Sequence, residues 1–131
     1  MKSTVLIIED NEQNMYMLSY LLQKNNYNVI EAFNGKDGLK LAHDHHPEII
    51  LIDIQLPDMD GYEICNKLSH NGLPKSTVII AVTSYAMGGD KEKAIESGAD
   101  GYLEKPINPD TFVNQMRSII NGKGKWLKKL F

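Results

Sequence analysis

Three stretches of the chain are apolar at every position: Val5-Leu6-Ile7-Ile8, Ile49-Ile50-Leu51-Ile52 and Val78-Ile79-Ile80-Ala81-Val82. Each is short and rich in β-branched side chains, the pattern of a strand buried on both faces in a parallel sheet covered by helices. Two weaker strands are predicted at Asn28-Val29-Ile30-Glu31 and Gly101-Tyr102-Leu103-Glu104. The segments between them carry apolar residues at helical spacing: Met15, Leu18 and Leu22; Leu39 and Ala42; Ile64 and Leu68; Met87, Ala94 and Ile95; Phe112, Met116, Ile119 and Ile120. Punctuation agrees with this division. Asn34-Gly35 reads as a turn before the second helix, Ser97-Gly98 closes the fourth, and Asn108-Pro109 supplies a cap and a first-turn proline for the fifth. Strand alternating with helix implies an α/β fold, a doubly wound (βα)5 sandwich with right-handed crossovers.

Composition sets outer limits on this picture. A chain of 131 residues suits one domain, and 42% apolar with 24% charged residues matches a folded globular chain. The formal net charge of −3 gives no global reason to expect nucleic acid as a partner. Cys65 is the only cysteine, which excludes an intrachain disulfide and a cysteine-based zinc site. No apolar stretch is long enough for a signal peptide or a membrane span, so a cytoplasmic location is expected.

In a parallel sheet every strand points the same way, so the residue after each strand arrives at one common edge. Doubly wound proteins bind their ligands there. The first strand ends at Glu9-Asp10, the third at Asp53, the fourth at Thr83 and the fifth at Lys105. Carboxylates gathered without counterions raise one another's pKa, so this cluster calls for cations. Mg2+ is the expected ion, with Mn2+ as a substitute, because it takes oxygen ligands from one or two carboxylates and keeps positions open for a phosphoryl oxygen. Glu9, Asp10 and Asp53 offer such a partial shell, and Lys105 adds a compact positive charge. Asp53, at the end of the most apolar run, is the candidate nucleophile toward phosphorus, with Thr83 as a hydroxyl donor to the transferred group.

The motifs Glu9-Asp10-Asn11, Asp53 followed by Leu56-Pro57-Asp58-Met59-Asp60-Gly61, Thr83-Ser84, and Lys105-Pro106 stand in order at the ends of the predicted strands. With them the chain resembles the receiver domain of two-component response regulators over roughly residues 4–121, which implies a receiver domain at 1–121 and a basic and aromatic C-terminal tail at 122–131. Val5 to Glu12, Asp53-Ile54-Gln55-Leu56-Pro57 and Ala86-Met87-Gly88-Gly89-Asp90 are similar to the DivK-like single-domain regulators. The resemblance implies a five-stranded sheet in the order 2-1-3-4-5. It implies that Asp53 is phosphorylated by a histidine kinase or a histidine phosphotransfer protein. Glu9, Asp10, Asp53 and the backbone carbonyl of Gln55 would hold the metal, while Thr83 and Lys105 take phosphoryl oxygens. Thr83 and Tyr102 would form a switch that reshapes the surface of the fourth helix, fifth strand and fifth helix for a downstream protein. Lys105-Pro106 is expected to be cis. Glu9 stands where many members have aspartate, and its greater length leaves room for a water between it and the ion. Gln55 and Tyr85, two residues beyond Asp53 and Thr83, would screen or admit water and so set the phosphoryl lifetime.

Plainer readings compete with each of these. Glu9-Asp10 alone would serve as the acidic start of a helix, Thr83 as an ordinary strand-end residue, and Tyr102 as a half-buried strand aromatic. The site also resembles that of an Mg2+-dependent phosphohydrolase with an aspartate nucleophile, although such enzymes carry a second acid where this chain has Gln55. A nucleotide-binding domain would need a glycine-rich first turn, which is lacking. The chain also fits a receiver excised from a hybrid kinase. His43, His45 and His46 read as solvated surface, and Cys65 as a small helix residue. The tail from Lys123 to Phe131 mixes basic and apolar residues but is too short to anchor firmly, so no stable membrane insertion is expected.

Overall fold

The computed structural model describes residues 2–70, 72–84 and 89–130, with the backbone alone described at Asp90 and at 124–130. Ten elements alternate along the chain: β1 (Thr4–Ile8), α1 (Glu12–Lys24), β2 (Asn28–Ala32), α2 (Gly35–His45), β3 (Ile49–Asp53), α3 (Gly61–His70), β4 (Val78–Thr83), α4 (Asp90–Glu96), β5 (Gly101–Glu104) and α5 (Phe112–Leu130). The strands form one sheet in the order β2-β1-β3-β4-β5, and every neighbouring pair is parallel. Met87, expected on the fourth helix, and Tyr85 lie outside the described residues.

The continuous apolar runs are explained by the two faces of this sheet. Val5, Ile7, Ile49, Leu51, Val78 and Ile80 point to one face and meet Met15, Leu18 and Leu22 of α1 and Phe112 and Met116 of α5. The residues between them, Leu6, Ile8, Ile50, Ile52, Ile79 and Ala81, point to the other and meet Ala42 of α2, Ile64 and Leu68 of α3 and Ala94 of α4. Each large side chain buried in this way contributes about 1.5–3 kcal/mol. β3 and β4 are buried along their whole length and β1 beyond Thr4, whereas β2 and β5 have accessible positions.

Side chains punctuate the helices where polar residues precede them. Asn11 caps α1 by accepting from Asn14 N (2.9 Å), and Asn34 caps α2 by accepting from Asp37 N (2.8 Å), so Asn34-Gly35 is a helix start and not a free turn. Asn108 accepts from Asp110 N with its side chain and from Phe112 N with its carbonyl, ahead of α5. Gly98 follows α4 at φ +109°, a left-handed position suited to glycine.

One expectation changes in the fold. Ala94 is buried as predicted, but Ile95 is 46% exposed. Adjacent helical residues diverge by about 100°, and the seven-residue α4 turns only one side toward the sheet. The helix α5 continues past Gly122 to Leu130. Lys123 Nζ there hydrogen-bonds the carbonyl of Thr77 and pairs with Asp100 Oδ2 (3.0 Å), at the edge of the sheet opposite the acidic cluster. The side chains of the remaining tail lie outside the described residues. Among the described residues, no helix is long and apolar enough to cross a membrane.

The loop from β3 to α3 folds back tightly on the strand. A Cβ on Gly61 would overlap the Cα of Ile54 and lie 2.8 Å from the backbone oxygen of Asp53, neither of which is a flexible group. Gly61→Ala is expected to cost about 1–3 kcal/mol, the usual penalty of overpacking, read as a lower urea midpoint with an unchanged slope.

Candidate functional site

Strand register assembles the predicted cluster. Ile8 pairs with Ile52 across β1 and β3, so the next residues, Glu9 and Asp53, lie side by side at the sheet's C-terminal edge. Asp53 pairs with Val82, which places Thr83 one step further on the adjacent strand. Thr83 pairs with Glu104, and Lys105 follows. The ladder continues past the strand ends, with Glu9 N donating to Ala32 O (3.0 Å) and Lys105 N to Thr83 O (2.8 Å). Glu9, Asp53 and Thr83 are almost fully buried, while Asp10 is exposed at the rim.

One cation ties the acids together. Lys105 Nζ donates to Glu9 Oε1 at 3.0 Å and to Asp53 Oδ2 at 3.1 Å, bridging two neighbouring strands. Glu9 Oε1 also accepts from Asn14 Nδ2 (2.9 Å), and Asp53 Oδ1 from the backbone N–H of Gln55 (2.9 Å). Lys105-Pro106 is cis, as expected. An open cleft of about 530 Å³ leads to this pair between α1 and the loop after β5, lined by Glu9, Asn14, Met17, Ser84, Lys105 and Ile107.

The two buried acids respond in opposite directions. Burial pushes the Asp53 carboxyl up to about 7, reinforced by Glu9 and opposed by the Gln55 N–H and by Lys105. Burial acts to raise Glu9 as well, but its contacts with Asp53, Lys105 and Asn14 outweigh it and hold its pKa below the usual value. Lys105 loses solvent on burial, yet Glu9 and Asp53 raise its pKa and keep it charged. Two carboxylates facing one ammonium leave one negative charge in excess, and a proton on Asp53 is one way to remove it.

A divalent cation is the other way, and the residues fit one. Glu9, Asp10 and Asp53 each offer a carboxylate oxygen, all within 4.8 Å of one another. Glu9 Oε2 is buried and has no hydrogen-bond partner among the described residues. An orphaned buried carboxylate oxygen is costly, and a hard cation satisfies it. Gln55 lies two residues beyond the strand, and the bridge between Gln55 and Asp60 closes the loop.

Thr83 and Tyr102 share a face. Tyr102 pairs with Ala81, two residues before Thr83, so both project to the side covered by α2, α3 and α4. The Tyr102 ring is half-buried, with Lys91 Nζ 5.4 Å from its centre. His43 and His45 are exposed on the last turn of α2, and they enter no metal cluster among the described residues. Cys65 is buried, with its thiol pushed up to about 12 by burial.

Two supporting residues had not been singled out for a role from sequence. Asn14 touches Glu9 directly. Asp58, within the motif after Asp53, reaches α2 and accepts from the backbone N–H groups of Gly35 (2.8 Å) and Lys36 (3.0 Å). These two bonds hold the Asp58 carboxyl below the usual carboxylate range and tie the loop after Asp53 to a helix N-terminus. The sequence signal for Asn14 was its place three residues after the capping Asn11; for Asp58 there was none beyond the motif.

Comparison with known proteins agrees with the geometry. The family model described as the response regulator receiver domain matches residues 5–117. The polar-differentiation response regulator DivK of Brucella ovis is 38% identical over 120 residues, which cover 92% of this chain and 98% of that protein. Among solved structures, a CheY-like receiver domain protein from Methanospirillum hungatei superposes with a TM-score of 0.86 at 27% identity, over 95% of this chain and 98% of that one. The chemotaxis response regulator CheY4 of Vibrio cholerae gives 0.86 at 28% identity, over 91% and 99%.

The Asp58 contact makes a pH-dependent contribution. Its folded-state pKa is depressed, so the stabilisation is present above the unfolded value near 3.8 and is lost as pH falls through the folded value. Asp58→Ala is expected to lower the melting temperature at neutral pH, and the gap to the wild type should narrow in acid. A gap that stays constant down the acid limb would contradict this.

Proposed function

The chain belongs to the response regulator receiver domain family, and from that premise we propose that Asp53 is its phosphoacceptor. The protein is a receiver domain of a two-component system, and the observation that carries the residue-level reading is the Lys105 bridge between Asp53 and Glu9. In the proposed transfer, an Asp53 carboxylate oxygen attacks the phosphorus of a phosphohistidine. The bond from phosphorus to the imidazole nitrogen breaks, and the imidazole leaves as the aspartyl phosphate forms. Lys105 neutralises one phosphoryl oxygen and the Thr83 hydroxyl donates to another. Glu9, Asp10, Asp53 and the Gln55 carbonyl would hold Mg2+, or Mn2+ in its place, which would supply charge neutralisation at the remaining phosphoryl oxygen.

The phosphoryl donor is a histidine kinase or a histidine phosphotransfer protein, met at the rim where the cleft opens. The chain catalyses only its own phosphorylation and dephosphorylation. The phosphoryl group carries about 1.5–2 negative charges while the carboxylate charge of Asp53 is lost in the new P–O bond, and the net gain in negative charge draws Thr83 inward and frees space for Tyr102 on the same face. The α4-β5-α5 surface then changes shape for a downstream protein. Residues 1–121 carry these functions, residues 122–131 form an appended segment, and the cytoplasm is the setting.

Incubation with acetyl phosphate and Mg2+ should add one phosphoryl group to the protein, seen by intact mass and mapped to Asp53. Asp53→Asn should abolish that gain, and label retained by this variant would overturn the assignment. The raised Asp53 pKa fixes the sign of a second result. Below about pH 7 the ion must displace the Asp53 proton, so Mg2+ affinity should fall about tenfold per pH unit there and level off above it. Calorimetric titration in buffers of different ionisation enthalpy should count close to one proton released in the acid range. Release of none at any pH would show that Asp53 is already ionised.

A further inference from the structure

We propose that Asn14 is a positioning residue that compensates for the length of Glu9 and holds its free oxygen toward the metal. The inference rests on the reading of Glu9, Asp10 and Asp53 as a cation site. A glutamate has one more side-chain torsion than an aspartate, so its carboxylate sweeps a larger arc unless something stops it. Here Glu9 Oε1 is held from two directions, by Lys105 Nζ at 3.0 Å and by Asn14 Nδ2 at 2.9 Å. With one oxygen pinned twice, the planar carboxylate has a fixed orientation, and the buried Oε2 is left for the ion.

The two donors differ in what else they do. Lys105 also serves Asp53 at 3.1 Å, and in the proposed reaction it turns to a phosphoryl oxygen. Asn14 has no such second duty among the described residues, so it holds Glu9 when the ammonium is drawn away. Its own base is firm, because its backbone N–H is held by the Asn11 cap at 2.9 Å in the first turn of α1. Its amide carries no charge, so it orients the carboxylate without repelling a divalent cation. A lysine or arginine there would reach the same oxygen but add to the positive charge that the ion must enter against.

A double-mutant cycle isolates this role. Mg2+ binding to the full chain is measured by calorimetry, and Mn2+ binding by electron paramagnetic resonance, for the wild type, N14A, E9D and the double variant. N14A is expected to bind Mg2+ about tenfold more weakly, the scale of one lost hydrogen bond to a charged group. In the E9D background the shorter carboxylate no longer reaches the amide, so N14A should change affinity by less than about twofold, within the usual scatter of uncoupled sites. The metal-free melting transition of N14A should stay single and cooperative, with a lower midpoint because a hydrogen bond to a buried carboxylate is lost, which separates positioning from loss of fold. Equal losses in both backgrounds, or wild-type affinity in N14A, would overturn the proposal. If the wild type itself bound neither ion, the cation site would fail first and the role of Asn14 with it.

Discussion

The ammonium of Lys105, set between the carboxylates of Glu9 and Asp53, is the interaction on which the site depends. Both acids are almost completely buried at the ends of adjacent strands, where neither could stay ionised alone. Lys105 offsets one of the two charges and leaves one in excess. Burial, reinforced by Glu9, pushes the Asp53 carboxyl up to about 7, and Glu9 Oε2 has no partner among the described residues. A fully neutralised cluster would be more stable and would have no reason to accept a cation or a phosphoryl group. The site is stabilised enough to form and left incomplete enough to react.

The fold's part is to deliver these groups to one point with little freedom. β1 and β3 are held by apolar side chains on both faces, and their register leaves Glu9 beside Asp53. A slip of one residue in β3 would send Asp53 to the opposite face and Ile52 into the acids, so the same burial that drives folding also fixes the chemistry. Beyond the strand, Gly61 lets the loop close against Ile54, and Asp58 fastens that loop to the start of α2. The Gln55 carbonyl is therefore carried by a loop anchored at both ends.

Most of this architecture was legible in the sequence, because a parallel sheet writes itself as short runs without alternation and its topology sends every strand end to one edge. Glu9, Asp53, Thr83 and Lys105 could be assembled on paper for that reason alone. What escaped depends on reach across the structure. Asp58 bonds backbone groups 22 and 23 residues earlier in the chain, and a side chain bonding to backbone amides leaves no mark in the identity of its partners. Asn14 read as one more polar residue in a helix's first turn. Ile95 was placed inward because spacing cannot distinguish two adjacent apolar residues on a short helix. A glycine costs about 1 kcal/mol in a helix, yet α5 runs through Gly122. Near Gly122, the contact of Lys123 with Asp100 and Thr77 favours the helix, as tertiary contacts often do over local propensity.

The proposed switch can be set against the energy available. Moving a two-state equilibrium almost completely from one side to the other takes about 5.5 kcal/mol of differential stabilisation. In the proposed reaction the new negative charge would act first on Lys105, which already has two partners, so part of its attraction would go into exchanging a carboxylate oxygen for a phosphoryl oxygen. The hydroxyl of Thr83 would contribute one hydrogen bond to a charged group, about 1.5–3 kcal/mol. Tyr102 must give up its half-buried place against the α4 side of the sheet, where Lys91 sits over its ring, and that contact resists the change. The margin left is short of a complete swing. A partner that binds only the reshaped α4-β5-α5 surface would supply the difference, which makes recognition part of the switching step and not its consequence.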